Sequence, residues 1–206
     1  MRRATRVVAA ALGAFAGFGG PEHGYFEILR GNTRPEGLMI EAMGPPCDPE
    51  QVWNLCEPAM TVIPSFLVTG VVATILGLVT MVWAVGFVHT RRGGPVLILL
   101  SVALLLAGGG LFPPVIGMVA GAFATRINAP VSRPAGSVTR FLAALWPWPL
   151  VAFFAWTFGQ FVIGHYSNDF LRQAGTLVPA LIVGLLALSL LSGHACDVRR
   201  HDLAGA

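Results

Sequence analysis

The sequence predicts an all-α integral membrane protein: a bundle of about six membrane helices, including a Gly/Pro-broken helical hairpin over residues 95–125, with both termini cytoplasmic. Three observations carry that expectation. Of the 206 residues, 55% are hydrophobic and only 11% charged, and the mean hydropathy is +0.71, outside the usual balance of a soluble domain. Pro95 to Thr125 contains no charged residue, as a segment immersed in hydrocarbon requires. The basic residues, all thirteen of them arginine, gather in particular loops.

Residues 1–20 form the first element, with Arg2, Arg3 and Arg6 ahead of the apolar stretch Val7 to Gly20. Two readings fit: a retained first membrane helix, or a signal peptide cut near Ala14-Phe15-Ala16. The retained helix is better supported. Gly13, Gly17, Gly20 and Gly24 recur three and four apart, which lays small residues along one face where a second helix can approach closely.

Residues 21–60 read as an extracytoplasmic acidic loop, with seven carboxylates (Glu22, Glu27, Glu36, Glu41, Asp48, Glu50 and Glu57) against Arg30 and Arg34. Its many prolines allow only short helices: Glu22 to Leu29 as a prolongation of the first helix, and Pro49 to Leu55 as the start of a second. Cys47 and Cys56 lie nine positions apart in it. They are candidates for a structural disulfide on an oxidising face of the membrane, whereas Cys196 falls on the reducing side.

Residues 61–206 make up the polytopic membrane domain and a short cytoplasmic tail. Val62 to Val88 is the second span, stopped by His89-Thr90-Arg91-Arg92. In the hairpin, Gly108, Gly109, Gly110, Pro113 and Pro114 interrupt the apolar run; consecutive glycines and prolines oppose a straight helix, so two helices meet at a bend. Gly117 and Gly121 repeat the spacing of small residues in the second arm. Phe141 to Gly164 is a further span, kinked near Pro147 and Pro149, and His165 to Gln173 a short connection. Gly175 to Gly193 is the last span, and the polar tail begins at His194, which, like His89, terminates a helix.

The arginines choose between two threadings, because cytoplasmic loops carry the basic excess. If the hairpin returns to the side it entered from, ten arginines lie inside and three outside; if it crosses once, the count is six against seven. The returning hairpin is therefore expected, and the chain is assigned to a bacterial cytoplasmic (inner) membrane as a multi-pass protein.

Few residues offer chemistry. His23 and Glu27, and likewise His165 and Asp169, are four apart, a spacing that puts an imidazole and a carboxylate on one helical face, where they can share a metal ion or a proton. Both pairs are expected on the outer surface. No Asp, Glu, Lys or Arg is expected near the middle of any span, which argues against an ion-coupled pump. No phosphate loop, nucleophile elbow or dinucleotide fingerprint is present, and no basic patch suits nucleic acid.

Three functions remain in order. The leading one is a non-enzymatic helical subunit or scaffold, whose partners are the lipid bilayer and other membrane proteins or a second copy of itself. The second is a small-solute channel or carrier using the broken hairpin. The last is a membrane enzyme or metal site on the outer face. No cofactor is expected unless that metal site forms.

Overall fold

Glycine on one helix face lets two backbones touch, and that contact organises much of this chain. The structure, a computed structural model, describes residues 1–41, 57–131 and 135–205. Among them are seven α-helices and one two-stranded sheet: α1 Arg3–Leu29, β1 Met39–Glu41, β2 Pro58–Met60, α2 Phe66–Gly86, α3 Gly93–Leu106, α4 Phe112–Ala124, α5 Ser137–Leu145, α6 Trp148–Ala174 and α7 Leu177–Gly205. They form two compact units, one of residues 1–8 and 127–205, the other of 9–41 and 57–126.

In the unit of residues 9–126, the glycine face of α1 lies on α2. A side chain at Gly17, Gly20 or Gly24 would run into the backbone of Gly77, Ala73 or Gly70, and one at Gly70 or Gly77 would run into α1. This packing carries α1 nine residues past Gly20 and through Pro21. Proline leaves the Gly17 carbonyl without its helical donor, and that carbonyl lies against Gly77.

Ser65 caps α2, its hydroxyl accepting from the Val68 amide at 3.4 Å. The helix therefore starts four residues later than Val62, and Pro64 precedes it. Helices α3 and α4 are the arms of the hairpin and run antiparallel, Gly94 against Gly121 and Ser101 against Gly117. Pro113 and Pro114 do not break a helix here. They sit in the first turn of α4, where no amide donor is needed.

The described ends of the acidic segment form a small sheet. Met39 pairs with Met60 and Glu41 with Pro58 across the small antiparallel sheet, and Phe66 packs under it on Ile40 and Ala59. Cys47 and Cys56 lie outside the described residues.

In the unit of residues 127–205, α5 and α6 are bent by 47° at Trp146-Pro147, a cis peptide bond. The expected connection His165 to Gln173 is instead helical, and α6 runs on to Ala174 with only Ser167 outside helical geometry. The tail expected from His194 onward is also helical and partly buried: Ala195 and Cys196 pack on Ala4 and Ala143. His194 therefore ends no helix, and its ring faces Arg2, 2.9 Å from the guanidinium.

Among the described residues, two helices are long and apolar enough to cross a membrane, Phe66–Gly86 and Leu177–Ala204, or three if the bent pair α5 and α6 counts as one. Helices α3 and α4, of 14 and 13 residues, rise about 20 Å each against a hydrocarbon core of about 30 Å.

Candidate functional site

The most unusual chemistry lies beneath the hairpin bend. Gly108 and Gly110 have φ of +88° and +81°, open to glycine and strained for residues with a Cβ. Main-chain hydrogen bonds fix the bend: the Gly108 amide donates to Met60 (2.9 Å), the Val62 amide to Leu106 (3.0 Å) and the Gly109 amide to Leu104 (2.9 Å). The loop is thereby tied to the chain just before α2, whose Thr69 hydroxyl meets that of Thr61 at 3.1 Å.

The last turns of α1 supply the side chains. His23 and Glu27, four apart on the helix, are both wholly buried. A Cβ on Gly108 would strike the Glu27 carboxyl, and one on Gly110 would strike His23 Nε2. The two glycines thus serve twice, permitting the turn and making room for an acid and an imidazole. Glu57, just before β2, reaches within 3.6 Å of His23 Nε2 and its side chain is 36% exposed, so one edge of the cluster borders the surface.

These side chains lie past the apolar stretch that ends at Gly20, and burial dominates their charge states. It pushes the Glu27 carboxyl up to about 8, against a smaller opposing pull from Arg30. It lowers His23 to about 4. Glu22 rises to about 7 through burial and then through the nearby Glu57, which burial also raises. At neutral pH the centre pairs a protonated acid with a neutral imidazole. Neither ring nitrogen of His23 and neither carboxyl oxygen of Glu27 has a hydrogen-bond partner among the described residues. Such groups cost about 1–3 kcal/mol each when left unmade, and in native proteins they call for a functional or ligand-based explanation.

The second predicted pair is placed differently. His165 and Asp169 belong to the other unit, are exposed, and stand on either side of the non-helical Ser167. The His165 ring meets the edge of Tyr166 at 4.9 Å. Among the described residues no group of three or more His, Cys, Asp or Glu side chains converges as a metal-binding set.

All six predicted helix-packing glycines meet neighbours within the chain: Gly13 lies against Ala84 and Leu97, Gly17, Gly20 and Gly24 against α2, Gly117 against Ser101 and Ala16, and Gly121 against Ile98 and Gly94. Sequence reasoning overlooked Glu57 and Glu22 as members of the site, and Thr69 as its neighbour. The chain matches no protein-family model, no curated protein and no solved structure.

Proposed function

We propose that this is a multi-pass protein of a bacterial inner membrane acting as a small-solute channel or carrier, in which the broken hairpin and the Glu27–His23 pair form a proton-exchanging centre. One observation carries the reading: a carboxyl and an imidazole, wholly buried and without a hydrogen-bond partner among the described residues, meet the two positive-φ glycines of the bend. Discontinuous membrane helices present polar backbone to solutes, and a buried acid beside a neutral base is suited to accept and release protons. The scaffold reading rested on free glycine faces, and those faces pack inside the chain.

The threading with six membrane helices and cytoplasmic termini belongs to the same proposal. Its support is the contact of the amino terminus with both the segment after the hairpin and α7: the Arg2 amide donates to Ile127 at 2.9 Å, and the Ala4 amide to Asp197 at 2.9 Å. An even number of intervening crossings, as in the returning hairpin, suits these contacts.

The test is dissipation of an imposed pH gradient in liposomes carrying purified protein and a lumenal pH dye. Wild type is expected to discharge the gradient faster than protein-free vesicles, and Glu27→Gln to fall back to the protein-free rate. Equal rates for wild type and Glu27→Gln would remove the pair from any transport role.

A further inference from the structure

A second polar centre, in the unit of residues 127–205 with 1–8, is built on arginine rather than carboxylate. A cavity of about 690 Å³ is lined by Arg2, Arg3, Asn128, Asp197, Arg200 and His201, among others. That volume falls within the range of ordinary ligand sites. Its charges divide sharply into those in use and those free.

Asp197 is buried and receives the Ala4 amide on one carboxylate oxygen (2.9 Å) and the Thr5 amide on the other (2.8 Å). It therefore caps α1 and is held by the positive end of that helix. Arg2 is equally occupied, donating through Nε to Ala129 (3.2 Å) and through a terminal nitrogen to Pro130 (2.8 Å), with the other terminal nitrogen at His194. Arg3 and Arg200 are left. Both are exposed, and neither makes an ion pair among the described residues. Among the described residues, the only acid lining the cavity is Asp197, already committed to backbone amides.

We propose that this cavity binds a phosphate-bearing anion, with Arg3 and Arg200 as its charge partners and His201 as an additional donor. Guanidinium groups suit phosphate oxygens because their forked donors match them in pairs. The phosphate has two sources that chemistry alone does not separate: the headgroup of an anionic phospholipid, to which basic pockets between membrane helices are suited, or a free phosphate from solution. The site is independent of the Glu27–His23 centre and does not rest on transport.

Purified full-length chain in neutral detergent is titrated with short-chain phosphatidylglycerol, with phosphatidylcholine of the same chain length, and with inorganic phosphate, thermal unfolding being the readout. The expected result is saturable stabilisation by phosphatidylglycerol and none by phosphatidylcholine, with binding of Arg3→Gln/Arg200→Gln weakened on the order of tenfold or more. Arg91→Gln/Arg92→Gln, outside the cavity, should bind as wild type does. Stabilisation by inorganic phosphate at matching concentration, lost in the same double variant, also supports the site and identifies the free ion as its ligand. Equal stabilisation of wild type and Arg3→Gln/Arg200→Gln by every ligand overturns the proposal, as does equal loss in the Arg91/Arg92 control.

Discussion

The carboxyl of Glu27 lies directly against Gly108, a residue held at φ +88°. Backbone freedom and side-chain space are therefore demanded at one atom. Gly108→Ala should lose about 1–3 kcal/mol from the backbone alone and more from displacing Glu27. Gly110→Ala should behave alike through His23. Gly184, inside α7 with open space where a Cβ would be added, is the control: Gly184→Ala should gain about 0.5–1 kcal/mol. Thermal unfolding of the three variants checks the ordering, and a Gly108→Ala protein as stable as Gly184→Ala would contradict the site geometry.

Glu27 also sets a pH dependence with a definite sign. Its folded-state pKa of about 8 lies above the ordinary carboxyl value of 4.5, so the folded state holds the proton more tightly than the unfolded chain. The stabilisation is fully present below 4.5 and is lost as pH rises toward 8. His23, lowered from 6.5 to about 4, acts in the opposite sense and costs stability as pH falls through that interval. Between pH 6.5 and 8 the raised Glu27 outweighs the small remaining change from His23, so melting temperature should fall there, by the equivalent of about 1–2 kcal/mol for Glu27. Glu27→Gln, which imitates the protonated acid, should flatten most of that slope. An unchanged slope in the variant would assign the effect elsewhere.

Much of this arrangement was legible in the sequence, and what was not has a physical cause. The glycine triplet and the prolines announced the bend, because no side-chain packing restores a straight helix through them. The spacing of His23 and Glu27 announced a shared face. What the spacing could not supply was a partner, since the neighbours of that face are Gly108 and Gly110, more than eighty positions away. Glu57 was read as one acid among several in a loop, because nothing local marks it as returning to His23. Two helix ends, those at His165 and His194, were misjudged for a related reason. The polar tail after Gly193 and the run from His165 to Gln173 both resemble terminators, yet α7 is held by the burial of Ala195 and Cys196.

Asp197 offers a test of the contact between the two ends of the chain. Its carboxylate accepts from the amides of Ala4 and Thr5 in a buried setting, where hydrogen bonds to a charged group are worth about 1.5–3 kcal/mol. Asp197→Ala should lose stability on that scale. Asp197→Asn, which keeps one acceptor oxygen but no charge, should lose less. Amide hydrogen exchange at Ala4 and Thr5 should rise in the alanine variant well before global unfolding. Unchanged protection at those two amides would show that the cap contributes nothing.

Topology separates the proposed threading from its rival most directly. Arg2 donates to the carbonyls of Ala129 and Pro130 and abuts His194, so the proposed threading puts the amino terminus, the segment after the hairpin and the last helix on one side of the membrane. Glu36, in the segment between α1 and α2, falls on the opposite side in that threading. Cysteine-accessibility labelling of single-cysteine variants at Asn128, Leu203 and Glu36 in intact cells reads this out. Glu36 should react with an impermeant maleimide, while Asn128 and Leu203 should react only after the membrane is opened. Labelling of Asn128 together with Glu36 in intact cells would mean that the hairpin crosses once, leaving no reason for ten of thirteen arginines to lie on one leaflet.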